Sequence, residues 1–207
     1  MPTNKFLFAE SKPTDAESSD EWDDIKVVGN EIFFSADVDT DAVCYLFKVL
    51  HQLERELLQR AIDLPGFEPE IRLYINSGGG DMFAGFSAHD HLSQMRVRVT
   101  TIALGCCASA ATFILLGGHR RMMGARAHVL IHQLSADGIW GKFEDLKDEV
   151  KNCEKFMDMA KSLYEDNCEI PEKKMKNLMK KDIYLSPDEC IKWKIVHEIM
   201  KPVKIKH

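Results

Sequence analysis

Hydrophobic and polar positions change period several times along this chain, and each change marks an element. Ile25-Lys-Val-Val28 and Glu31-Ile-Phe-Phe34 flank Gly29-Asn30 and read as two short strands about a turn. Asp37 or Asp39 can cap the helix that follows, where Val43, Leu46, Phe47, Leu50, Leu53, Leu57 and Leu58 recur at helical spacing through about Ile62. Leu64-Pro-Gly-Phe-Glu-Pro69 ends it. Alternation at Ile71, Leu73 and Ile75 gives a strand, Ser77-Gly-Gly-Gly80 a turn, and residues 82–95 a helix. A second such unit begins at Val97, and a third strand is expected at His128-Val-Leu-Ile-His132, after a basic turn Gly118-His-Arg-Arg121. From Lys142 to Tyr164 one long helix carries Phe143, Leu146, Val150, Cys153, Met157, Ala160 and Tyr164, a narrow seam suited to packing against another helix. A second, basic helix follows Pro171, Asp182-Ile-Tyr-Leu-Ser186 leads to Pro187-Asp-Glu-Cys-Ile-Lys-Trp193, and the final Val196-His-Glu-Ile199 is a short strand or extended end.

Strands alternating with helices predict a largely parallel sheet with right-handed crossovers, whose sites form at the carboxyl ends of strands. The chain is organised around residues 100–118. Before Gly105 this stretch reads as a buried strand. After Cys107 it reads as a helix of small, then large, apolar residues, which puts Ser109 just inside a helix start. Orphan amides and the positive end of the helix dipole gather there, as a nucleophile forming an oxyanion needs. Serine is also a preferred helix cap, so the stretch alone leaves capping or small-residue packing open.

Composition narrows the class. A length of 207 residues suits one domain with its own core. The longest apolar run is far short of a membrane span, and the start lacks the apolar core of a signal peptide, so a soluble, cytoplasmic protein without membrane contact is expected. Six cysteines without a CxxC read as free, mostly buried thiols in a reducing compartment. Of the net charge of −6, residues 1–24 supply −5, from seven acids against Lys5 and Lys12. That composition predicts a mobile segment, in which Phe6-Leu-Phe8 could dock. The remaining body is nearly neutral, with no basic stripe to attract nucleic acid.

Gly78-Gly79-Gly80 lacks the lysine of a phosphate loop and the full GxGxxG spacing, and reads as a place where amides approach a ligand closely. His89-Asp-His91 has the wrong spacing for a helical metal pair and reads as polar surface, while His119 and His128 read as exposed. His132 instead ends an apolar strand at the same edge as Ser109. It can be a satisfied core residue, or the base of a nucleophile, base and acid set. The residues themselves offer several acids and do not choose among them.

Ile75-Asn-Ser-Gly-Gly-Gly80, Gly105-Cys-Cys-Ala-Ser109, Leu130-Ile-His-Gln133 and Lys181-Asp-Ile-Tyr-Leu-Ser186 resemble the four signature stretches of the ClpP family, the proteolytic subunit of the Clp proteases, in order and at comparable separations. The resemblance spans roughly residues 25–200. It implies an α/β fold of the ClpP/crotonase type, with repeated β-β-α units, a mostly parallel sheet and a protruding handle helix at about 142–165, in one domain of residues 25–207. It also implies a serine endopeptidase acting on unfolded polypeptides, with Ser109 as nucleophile, His132 as general base and Asp182 as orienting acid. The backbone amides of Gly80 and Ala110 would form the oxyanion hole, and no cofactor or metal is implied. Gly79, Asp81, Met82 and Ser135 are the candidate substrate-binding residues. The resemblance further implies a homo-oligomer of two stacked seven-membered rings, joined through the handle, and an AAA+ unfoldase as partner.

The chain departs from the family pattern at Gly78, where a proline is usual, at Ala110, where methionine is common, and at Leu134, where a proline often follows His-Gln. The region around residues 53–69 is longer than the family norm, and the acidic amino terminus differs from the usual axial segment, which weakens the unfoldase expectation. Ser135-Ala-Asp-Gly-Ile-Trp-Gly141 could serve as an extended edge for substrate or for the opposite ring. Two other readings remain at this point. One is a catalytically silent ClpP-like assembly subunit, although no triad residue is lost. The other is a crotonase-type acyl-CoA enzyme, which needs no Ser-His-Asp set.

Overall fold

The computed structural model describes residues 23–135 and 140–202. The acidic segment with Phe6-Leu-Phe8 and the centre of the 135–141 stretch lie outside the described residues.

A hairpin of β1 (Ile25–Val28) and β2 (Glu31–Phe34) opens the fold, turning at Gly29 with φ 60°. Helix α1 (Thr40–Asp63) starts where Asp39 accepts the Ala42 amide, and buries Leu46, Leu50, Leu53 and Leu57. Strand β3 (Glu70–Ser77), helix α2 (Met82–Ser93) and strand β4 (Arg98–Ala108) follow. Next come α3 (Ala111–Leu116), β5 (Arg120–Met123), β6 (His128–Leu130) and the long α4 (Phe143–Asn167). Helix α5 (Glu172–Leu178), strand β7 (Tyr184–Leu185), helix α6 (Pro187–Lys192) and strand β8 (Glu198–Ile199) close the described chain. Ser186 and Glu189 form a reciprocal cap at the start of α6.

The sheet runs β1-β2-β3-β4-β5-β8, parallel from β2 onward, with β6 and β7 branching from it. Strand β4 makes the branch. Its first part pairs with β5, from Thr100 opposite Arg120 to Ala103 opposite Met123. Its last part leaves that partner and pairs with β6, from Cys106 opposite His128 to Ala108 opposite Leu130. The change of partner follows a bulge against β3, where the register shifts between Ile75 and Ser77. Gly105 sits at that bulge with φ 56°, and a β-carbon there would lie 2.6 Å from Asn76 Oδ1. The same Asn76 oxygen accepts the Cys106 amide at 3.0 Å, so side chain and glycine together fix the bend.

Four expectations are corrected. The strand does not stop at Gly105 but continues to Ala108, and the helix behind it is only six residues long. The basic stretch around Arg120-Arg121 is strand β5 rather than a turn. Arg121 is buried there because its guanidinium donates to the carbonyls of Asn167, Lys194 and Ile195, which replace water. His91 is not polar surface: its ring stacks on Phe47 at 4.0 Å and meets His51 edge-on at 4.7 Å, in the contact between α1 and α2. The seam on α4 is divided. Ala160 and Tyr164 are buried in the domain, whereas Phe143, Leu146 and Val150 stand in solvent.

Candidate active site

The branch at the end of β4 builds the site, because the short sheet of β4, β6 and β7 brings three chain ends together. Ser109 leaves the end of β4, and its amide donates to the Leu130 carbonyl on β6 at 2.9 Å. Strands β6 and β7 are antiparallel, with Val129 opposite Leu185 and Leu130 opposite Tyr184. Continued by two residues, that register sets His132 across from Asp182. Their side chains do approach, with His132 Nδ1 3.6 Å from Asp182 Oδ1. This is an ion-pair separation, longer than a hydrogen bond. Tyr184, two residues on, reaches back with its hydroxyl to Cys106 Sγ at 4.0 Å and ties β7 to β4.

Ser109 is not inside the helix. It occupies the turn between strand and helix with φ 54°, in the left-handed region. Its main chain makes its hydrogen bonds among the described residues: besides the bond to Leu130, its carbonyl accepts from the Thr112 amide at 2.9 Å and from Thr112 Oγ1 at 2.6 Å. The cap of α3 is Ala110, without a side-chain bond, so the capping role that the sequence left open for Ser109 Oγ is not taken.

The glycine loop after β3 lies directly against Ser109. Ser77 pairs with Cys107, and two residues later Gly79 meets Ser109 so closely that a β-carbon on Gly79 would lie 2.6 Å from Ser109 Cβ. Gly79 has φ 100° and Gly80 φ 148°, and the Ser77 hydroxyl accepts the Gly79 amide at 3.2 Å. Val38 grips the loop from the other side, donating to the Gly79 carbonyl at 2.8 Å and accepting the Asp81 amide at 2.6 Å. The amides of Gly80 and Ala110 donate to no acceptor among the described residues, which leaves both available to a ligand at Ser109.

A cleft of about 270 Å³ opens here, lined by Gly80, Asp81, Met82, Ser109, Ala110, His132 and Ser135. Gly79 is buried beneath Ser109 instead, and Asp182 stands outside with its side chain 78% exposed. The Asp81 carboxylate accepts the Ala84 amide at 2.7 Å as the cap of α2, so its first task is structural. The rest of the wall includes residues that sequence reasoning assigned elsewhere or passed over, among them Phe83, Phe113, Glu149, Phe156, Met157 and Tyr164. Phe113 stacks on Phe86 at 4.8 Å and tilts against Tyr164 at 5.6 Å, while Phe83 meets Phe156 edge-on at 4.9 Å. Met157 Sδ accepts the Leu134 amide at 3.0 Å and holds the segment after His132 against α4. The continuation of the α4 seam into Ala160 and Tyr164 was the available signal that part of this helix faces its own domain.

Burial pushes the Cys107 thiol up, with Cys106 and Cys190 adding to the effect, so Cys107 is held as a neutral thiol next to the nucleophile candidate. Cys168 and Cys190 are likewise pushed up to about 12 by burial. All six cysteines are free, but the expected burial holds only for Cys107 and Cys190: Cys106, Cys153 and Cys168 are partly exposed and Cys44 is exposed. Among the described residues no group of three or more His, Cys, Asp or Glu comes together to hold a metal ion, and no helix is long and apolar enough to cross a membrane.

A serine on a positive-φ strand-to-helix turn, a histidine near an acid and two unpaired amides thus come to one end of a mostly parallel α/β sheet. Comparison with known proteins names the group. The Clp protease family model matches residues 27–203, and the chain belongs to that family. An ATP-dependent Clp protease proteolytic subunit from Deinococcus radiodurans is 30% identical over 141 residues, covering 67% of this chain and 69% of that relative. The solved structure of a ClpP1 point mutant from Listeria monocytogenes superposes with a TM-score of 0.65 at 19% identity, over 84% of this chain and 92% of that one, and shows the shared fold. The family match favours the ClpP-like protease reading over the acyl-CoA alternative.

Proposed function

We propose that this chain is a Clp-type serine endopeptidase in which Ser109 attacks the peptide carbonyl. His132 takes the serine proton and returns it to the leaving amine, and Asp182 orients the imidazole and stabilises its cationic form. The tetrahedral oxyanion is held by the amides of Gly80 and Ala110. The observation that carries this reading is the register of β4, β6 and β7, which sets Ser109, His132 and Asp182 at one sheet end beside those two amides. The His132 to Asp182 separation of 3.6 Å is looser than a catalytic hydrogen bond, and apo geometry of this kind tightens in the substrate complex.

In this reading residues 25–207 act as one peptidase domain of a cytoplasmic homo-oligomer, two stacked seven-membered rings around a chamber, fed with unfolded polypeptide by an AAA+ unfoldase. Support comes from the family match and from the uncovered apolar end of α4. Treatment with a fluorophosphonate probe, followed by mapping of the labelled residue by mass spectrometry, tests the site. Labelling at Ser109 is expected. A protein that cleaves a fluorogenic peptide with Ser109 replaced by alanine would overturn the assignment.

A further inference from the structure

The cleft beside Ser109 is walled by aromatic and sulfur-bearing side chains, yet two carboxylates also line it. Asp81 is occupied as the cap of α2. Glu149, on α4, is different: it is partly buried and makes no ion pair among the described residues. The lysines nearest to it along the helix are turned to other acids, Lys147 to Glu144 and Lys151 to Asp148, each at 3.0 Å.

We propose that Glu149 selects substrates with lysine or arginine beside the scissile bond, an inference that rests on the peptidase reading above. A long cationic side chain has two parts that match the two parts of this cleft. Its methylene stem can lie along the apolar wall that Phe156 and Met157 help to form, and its charged head can pair with the Glu149 carboxylate carried on the same helix. An apolar side chain of the same length covers the same surface but leaves Glu149 desolvated and unpaired. An acidic one adds repulsion. The expected order is therefore lysine or arginine first, an isosteric apolar residue second and glutamate last.

The test uses the full-length protein and a mixed peptide library, with the cut bonds mapped by mass spectrometry so that either flank of the cut can reveal the preference. Lysine and arginine should be enriched at one flanking position. The best lysine peptide is then compared with twins carrying norleucine or glutamate at that position. In Glu149→Gln, the ratio of kcat/KM for the lysine peptide to that for its norleucine twin should fall about tenfold, the effect of losing one charged partner. In Glu149→Lys, the glutamate twin should overtake the lysine peptide. A wild-type protein that cuts peptides without basic enrichment, or a ratio unchanged in Glu149→Gln, overturns this proposal alone. A wild-type protein that cuts none of them and takes no fluorophosphonate overturns the peptidase reading and this proposal with it.

Discussion

Ser109 holds a backbone conformation that costs a non-glycine residue about 1–2 kcal/mol, and three hydrogen bonds, from its amide and to its carbonyl, hold it there. None of them uses Oγ, so Ser109→Ala should fold normally by circular dichroism while losing peptide hydrolysis. Gly79 is the more sensitive neighbour. A methyl group there would lie 2.6 Å from Ser109 Cβ and 2.7 Å from the Ala108 carbonyl, on a backbone with φ 100° that disfavours any side chain. Gly79→Ala should displace the serine and lower kcat/KM by at least about 10²-fold, the scale of a small misplacement at a reacting centre. Wild-type turnover by that variant would mean that the loop does not set the position of Ser109. Asp182→Asn should lower turnover by roughly 10²–10⁴-fold through loss of tautomer control. Unchanged steady-state rates would point to another acid. The sequence marked Ser109 and His132 as candidates through their place at strand ends, but Asp182 was reached only through resemblance. The juxtaposition of residues 132 and 182 depends on an antiparallel register between two very short strands, which no periodicity carries.

At the scale of elements, the packing of α1 depends on Glu54. This buried carboxylate accepts the amides of Arg96 and Val97 at 2.7 Å and 3.3 Å and the Arg96 guanidinium at 3.3 Å, joining the helix to the start of β4. Burial pushes its pKa up, but these hydrogen bonds outweigh burial and hold the carboxyl below its ordinary value of 4.5. A depressed folded-state pKa stabilises the fold above the unfolded value, and that stabilisation is lost as pH falls through the folded value. Glu54→Gln should therefore unfold in less urea than wild type at pH 7, by about 1–3 kcal/mol, and the gap should narrow at pH 3. A constant gap would show that Glu54 acts through shape alone. The hairpin, α1, β3, α2 and α4 were legible because each is long enough, or bounded by clear enough turn residues, for its period to be read. Strand β5 was not, since its two arginines look like surface until Arg121 is seen to donate hydrogen bonds to three carbonyls from distant parts of the chain. The bend in β4 was equally hidden, because a glycine inside an apolar run does not announce that the strand changes partner.

At the scale of the whole molecule, the divided seam of α4 decides what a lone chain leaves unsatisfied. The carboxyl-terminal half is spent inside the domain, where Ala160 and Tyr164 are buried and Met157 holds the segment after His132. The other half is not: Phe143 is 70% exposed, Val150 56% and Leu146 36%, and Trp140 just before the helix is 88% exposed. With 25 residues at about 1.5 Å each, the helix is roughly 37 Å long and extends past the surface its own domain offers. Full burial of a large apolar side chain contributes roughly 1.5–3 kcal/mol, so a partner covering three or four of these residues would gain enough to hold an assembly together. The proposed double ring supplies that partner as a second copy of the same helix. Replacing Leu146 and Val150 with glutamate puts two charges into that contact without disturbing the buried half of the helix. The double variant should keep its far-ultraviolet circular dichroism, sediment as single rings or smaller species, and hydrolyse peptides more slowly, because Met157 and Phe156 line the cleft on the same helix whose other end has lost its support. Sedimentation velocity and negative-stain imaging would report the change. A wild-type chain that sediments at micromolar concentration as a fully active monomer would show that the exposed half of α4 serves something other than assembly.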